Sequence, residues 1–182
     1  MNHILIVSSL TCSGKGTLKS FAKMHGAQIE MKGIYTLVVD ASVDLVIRTD
    51  KMSFSLPKGL YLYAGSAMGP SNRSLELRIA RHLRKRKKLF WHIDYLLKMR
   101  GVAVREVVYS QSRKKLECRL ASQLETQLDG TPIVGFGCSD CKCVSHLFFV
   151  TDETRLKNVL KNIAKAYRAI GLTPRVLGCS RR

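Results

Sequence analysis

Tyr63-Ala64-Gly65-Ser66, then Met68-Gly69-Pro70-Ser71-Asn72, then Leu75-Glu76-Leu77-Arg78-Ile79-Ala80-Arg81-His82: this stretch decides how the chain is read. The aromatic alternation of Leu60 to Tyr63 suits a strand, which ends at Tyr63 and Gly65, where glycine permits a sharp turn. The Gly/Pro/Asn cluster then breaks the chain, and Ser71, Asn72 or Ser74 can cap a following helix over Arg73 to Arg84. Leu75, Ile79 and Leu83 recur at i, i+4 and i+8 and give that helix a buried stripe. Arg78 and His82 stand four residues apart, so they project from one face at the edge of the core. A guanidinium brings a planar fork of donors to a phosphodiester, and an imidazole beside it can donate a hydrogen bond or move a proton.

Upstream, Gly33 to Val39 is rich in Tyr, Thr, Leu and Val and predicts a strand. Two short runs, Asp44 to Arg48 and Ser53 to Leu56, predict a hairpin inserted between Tyr35 and Tyr63. Downstream, Trp91 to Met99 predicts a short helix and Val102 to Tyr109 a strand. His92 and Asp94 on that helix are read as structural hydrogen-bonding groups rather than catalysts. Arg113 to Leu128 predicts a helix whose stripe is Leu116, Leu120, Leu124 and Leu128. Glu117 lies beside that stripe, at the rim of the core, where a carboxylate is either salt-bridged or holding a metal. The residues alone favour the salt bridge.

Taken together, Gly33-Ile34-Tyr35, Tyr63-Ala64-Gly65, Arg78 with His82, and the helical Glu117 resemble the GIY-YIG nuclease superfamily. The resemblance extends to the blocks Trp91 to Leu96, Glu117 to Ala121 and Gly135 to Leu147, which are similar to a small prokaryotic subfamily of largely unassigned biology. The fold it implies is α/β, a small central antiparallel sheet flanked by helices, here with a C-terminal amphipathic helix. The activity it implies is metal-dependent endonucleolytic hydrolysis of DNA, in repair or recombination, since some relatives are fused to DNA-repair glycosylases. On that resemblance Glu117 holds a single Mg²⁺ or Mn²⁺, Tyr35 is the general base, Arg78 stabilises charge on the phosphoryl oxygens, and Tyr63 and His82 orient water or phosphate. Ala64 stands where the superfamily usually has Ile, a conservative change on a strand. A nucleic-acid-binding module without nuclease chemistry, holding DNA or RNA, is the competing class.

Charge points the same way as the resemblance. The chain of 182 residues carries 31 Lys and Arg against 13 Asp and Glu, a net +18 that a polyanion would balance. Six of the eight residues from Arg81 to Lys88 are basic. Arg81, Arg84, Lys85, Arg86, Lys87 and Lys88 are therefore expected to track a nucleic-acid backbone, DNA first and RNA second. Nothing in the sequence approaches the roughly 20 apolar residues of a membrane-spanning helix, and Ile4 to Val7 makes a poor signal peptide. Six cysteines in a chain with 46% hydrophobic residues do not resemble a disulfide framework, so a reducing cytoplasm is expected.

Three domains of the sequence are distinguished. Residues 1–30 form an N-terminal extension of uncertain role. In it Ser13-Gly14-Lys15-Gly16-Thr17 faintly suggests a phosphate loop but has Ser9 where the pattern wants Gly, and Met31 is an alternative start. Residues 31–150 carry the nuclease-like blocks. Residues 151–182 hold a helix over Asp152 to Ile170, with Leu156, Val159, Leu160, Ile163, Tyr167 and Ile170 on one face and a basic tail. Finally, Cys138, Cys141, Cys143 and His146 offer four zinc ligands within nine residues. Closing a tetrahedron inside so short a run is cramped, so we expect no bound zinc and a turn whose cysteines pack as small apolar groups.

Overall fold

The computed structural model describes residues 6–10, 31–49, 52–69, 74–150 and 156–179. The Gly14-Lys15 segment and the candidate caps Ser71 and Asn72 lie outside these residues. The strands are β1 (Ile6–Leu10), β2 (Gly33–Ala41), β3 (Leu45–Arg48), β4 (Ser53–Leu56), β5 (Gly59–Ala67), β6 (Val102–Gln111), β7 (Thr131–Pro132), β8 (Leu147–Val150) and β9 (Arg175–Cys179). The helices are α1 (Leu75–Leu83), α2 (His92–Lys98), α3 (Glu117–Leu128) and α4 (Leu156–Ala169). Seven strands make one sheet in the order β1-β9-β6-β2-β5-β8-β7, antiparallel except for the parallel β1–β9 pair at one edge. β3 and β4 form the expected hairpin as a separate two-stranded sheet. The architecture is therefore mixed α/β with an antiparallel sheet between helices.

The two central strands read as nearly continuous apolar runs because both their faces are covered. Alternation then divides their side chains between two cores. Tyr35, Leu37 and Val39 of β2, with Tyr61 and Tyr63 of β5, pack against Leu75 and Ile79 of α1, Ile93 and Leu96 of α2, and the hairpin. On the opposite face Ile34 and Val38, with Leu62 and Ala64, pack against Leu120 and Leu124 of α3 and Val159, Ile163 and Tyr167 of α4. The helix stripes anticipated from spacing are the surfaces that bury.

α4 is built into this second core. Val159 and Ile163 are fully buried, each worth roughly 1.5–3 kcal/mol of burial. The Tyr167 hydroxyl donates to the Val108 carbonyl of β6 at 2.9 Å. Ser74 caps α1, its side chain accepting from the Leu77 N–H at 3.4 Å. β5 runs on past Gly65 to Ala67, because Gly65, Ser66 and Ala67 pair with Tyr35, Ile34 and Gly33 of β2. No helix among the described residues is long and apolar enough to cross a membrane.

Candidate active site

Tyr35 lies opposite Gly65 across the β2–β5 ladder. A Cβ on Gly65 would sit 2.5 Å from both Cζ and the hydroxyl oxygen of Tyr35, so the ring lies directly over that glycine. The absence of a side chain at residue 65 is what admits the Tyr35 ring. Its hydroxyl meets Nε2 of His82, delivered by α1, at 2.7 Å. Tyr63 joins them on the same face of the sheet, its ring centroid 6.5 Å from that of Tyr35 and 6.4 Å from that of His82.

His82 is buried rather than at the edge of the core. Burial pushes its imidazole down to about 4, the nearby Asp94 only partly opposing this, so the ring is neutral near pH 7. A neutral ring can accept the Tyr35 proton at Nε2 while Nδ1 carries its own hydrogen toward Asp94. The Nδ1 to Asp94 Oδ1 separation is 3.8 Å, beyond hydrogen-bond reach, so that contact is electrostatic.

Asp94, on α2, is the hub behind the site. Arg81 grips it with two guanidinium nitrogens at 2.8 and 2.9 Å, and the Phe90 and Trp91 amides donate to it at 3.1 Å. Burial works against its charge, but the His82, Arg81 and backbone contacts outweigh burial and hold it well below the usual carboxylate range. It makes the structural hydrogen bonds expected of it. His92, also on α2, accepts a hydrogen bond from the Gly137 amide at 3.0 Å.

Arg78 is half-buried and lies over the Trp91 ring, 4.3 Å from its centroid, with Arg81 at 4.4 Å from the same ring. Its positive charge reaches both tyrosines. Burial raises the Tyr35 hydroxyl well above its ordinary value and Tyr63 adds to this, while Arg78 pulls it back. Tyr63 is likewise raised by burial and drawn down by Arg78, and it also feels Glu117.

Glu117 is the first residue of α3, later than a helix from Arg113 would place it, and it is buried. One carboxylate oxygen sits 3.2 Å from the Lys115 ammonium. The other, Oε2, is buried with no hydrogen-bond partner among the described residues. A buried carboxylate oxygen without a donor is costly unless a cation completes it. Glu117 thus has the salt bridge and one buried oxygen that no donor among the described residues reaches.

The basic run divides into two groups. Arg81 and Lys87 turn inward: Arg81 to Asp94, and Lys87 to the His82 carbonyl at 2.7 Å. Arg84, Lys85, Arg86 and Lys88 are exposed, and Phe90 beyond them is 72% exposed.

A second cluster adjoins Glu117. Ligand atoms of Cys118, Cys141, Cys143 and His146 all lie within 4.8 Å of one another. Cys138 stands apart, its thiol directed to the Val144 carbonyl at 3.7 Å. Sequence reasoning missed Cys118, because it sits on α3, far up the chain from the other three and outside any ligand spacing. Trp91 packs at the margin of the core and its ring also carries two guanidinium groups.

The family model described as domain of unknown function DUF123 matches residues 34–169. The chain belongs to the DUF123 family. The DUF123 match runs from β2 through α4, so it takes in Tyr35, Tyr63, Arg78, His82, Glu117 and the Cys/His cluster. No curated protein and no solved structure matches the chain.

The buried groups give an acid sensitivity of definite sign. His82 titrates near 6.5 when unfolded and about 4 when folded. Its folded value is the lower one, so its contribution is intact above about 6.5 and is lost as pH falls through about 4. Asp94, also depressed, adds a loss at still lower pH. Urea denaturation should show stability falling by roughly 3 kcal/mol on going from pH 7 to below 4 from the His82 shift. His82→Gln should remove most of the part between pH 6.5 and 4.

Proposed function

We propose that the protein is a divalent-metal-dependent endonuclease that hydrolyses phosphodiester bonds in DNA. The observation that carries this reading is the Tyr35 hydroxyl at 2.7 Å from a neutral, buried His82 nitrogen, with Tyr63 beside both rings. The resemblance to GIY-YIG nucleases supports it. An unpartnered carboxylate oxygen fits a hard cation such as Mg²⁺ or Mn²⁺, for which Glu117 is the ligand this chain supplies. A cation there would polarise the phosphate and stabilise the leaving oxygen.

The protein's own groups do the rest. Tyr35 takes a proton from the attacking water as it passes its own to His82 Nε2, so the phenol never has to stand as a phenolate and the cost of the transfer falls on charging the buried imidazole. Asp94 then faces the imidazolium that forms and stabilises it. Water oxygen bonds to phosphorus, the bond from phosphorus to the departing sugar oxygen breaks, and that oxygen takes a proton from solvent. Arg78, held on Trp91, offsets the negative charge that builds on the phosphoryl oxygens. His82 in this mechanism is a proton acceptor behind Tyr35 rather than a group that touches phosphate.

Arg84, Lys85, Arg86 and Lys88 supply the backbone contacts, and Phe90 offers a face on which a base can stack. Replacing those four basic residues with Ala should flatten the slope of log affinity against log salt by about 0.9 for each duplex phosphate left without a cationic partner, or about 0.7 for single strands. A fluorescence-anisotropy titration at several salt concentrations measures this. The activity itself is tested by incubating the full chain with single-stranded, duplex and branched DNA, and with RNA, in Mg²⁺ or Mn²⁺. Products that require the metal support the enzyme. Tight binding to all of these without cleavage of any identifies a binding module instead.

A further inference from the structure

We propose that Cys118, Cys141, Cys143 and His146 bind one Zn²⁺ in a closed tetrahedral site that staples the start of α3 to the connection between β7 and β8. The geometry comes first. His146 Nε2 lies 3.8 Å from the Cys118 sulfur and 3.5 Å from the Cys141 sulfur. Tetrahedral zinc with Zn–S near 2.3 Å and Zn–N near 2.0–2.1 Å places sulfur and nitrogen ligands about 3.6 Å apart. All four ligand atoms lie within 4.8 Å, so small side-chain adjustments complete the tetrahedron.

The donor set identifies the ion. Three thiolates and an imidazole are soft ligands suited to zinc and poorly suited to the hard cation that a carboxylate takes. With four protein ligands no position is left for water or substrate, so this zinc is structural. It is a different site from the Glu117 oxygen and does not depend on the nuclease reading.

The fold gives the ion something to do. Residues 133–146 connect β7 to β8 without a helix or strand of their own, a length at which connections are usually functional or disordered. Backbone hydrogen bonds hold this segment mainly at its ends: Gly135 to Val144, His146 to Phe136, and Ala64 to His146. Cys141 and Cys143 lie in its less supported part, while Cys118 belongs to the first turn of α3. The cramped closure expected of the Cys138–His146 run disappears, because the fourth ligand comes from a separate helix and Cys138 is not needed.

The full chain, purified without chelator, should contain about one zinc and no iron-sulfur absorption. X-ray absorption at the zinc edge of the wild-type protein should show three sulfurs and one nitrogen at the distances above. Cys118→Ser and Cys141→Ser should each lose the metal, whereas Cys138→Ser should keep it in full. A four-sulfur or two-sulfur shell, a metal-free or iron-containing wild type, or zinc that survives Cys118→Ser but leaves with Cys138→Ser would each overturn the assignment. The wild-type spectrum decides even if the ligand variants fail to fold.

Discussion

Glu117→Gln is expected to lower the cleavage rate by roughly 10²–10³-fold and to leave DNA affinity nearly unchanged. Gln keeps the volume of the side chain and its place at the first residue of α3, where the carboxylate is buried. What it removes is the charge that makes Oε2 a ligand for a hard cation. On the proposed function affinity is supplied by the outward-facing basic run, which the substitution does not touch, and the loss of one negative charge near phosphate offsets the loss of the cation that Glu117 would hold there. Arg78→Ala should behave differently and weaken binding and cleavage together, because a guanidinium meets phosphate in the ground state and in the transition state. Cleavage in Mg²⁺ and binding in Ca²⁺, measured on both variants, separate the two patterns.

Tyr35→Phe should cost a comparable factor, about 10²–10⁴-fold in rate, through a different cause. The ring remains over Gly65, so packing survives. The hydroxyl that meets His82, and that the proposed mechanism uses to relay the proton, is gone. His82 Nε2 is left buried without its partner, a penalty of roughly 1–3 kcal/mol in stability. A structural tyrosine would show that stability loss with the rate intact. A proton-relaying tyrosine loses the rate as well.

Much of the fold was legible because it rests on periodicity. The stripes Leu75-Ile79 and Leu120-Leu124 and the alternating residues of β2 and β5 point where spacing says they must. Helix ends were less legible. A helix from Arg113 was expected, yet α3 begins at Glu117. Ser112 explains the difference: its hydroxyl accepts from the Lys114 amide at 3.1 Å and donates to the Lys114 carbonyl at 2.8 Å, a local turn that competes with helix. That late start puts Glu117 in the first turn.

Within the site, the pairing of Tyr35 with Gly65 is a register property and could be anticipated from two strands that must meet. The inward turn of Arg81 and Lys87 could not, since a run of like charges does not reveal which of them finds a buried carboxylate on the next helix. Cys118 was hidden for the same reason: only the packing of α3 near the 133–146 connection brings it to Cys141, Cys143 and His146.

The most direct test of the hydrolytic site is a single-turnover cleavage experiment with enzyme in excess over labelled DNA, run side by side on the wild type and Glu117→Gln purified identically. The wild type should release product in Mg²⁺ or Mn²⁺ and none after chelation, while Glu117→Gln binds the same DNA and releases product roughly 10²–10³-fold more slowly. Equal rates from the two proteins, or a wild type that saturates with DNA and never cuts it, would contradict a hydrolytic site built on Glu117.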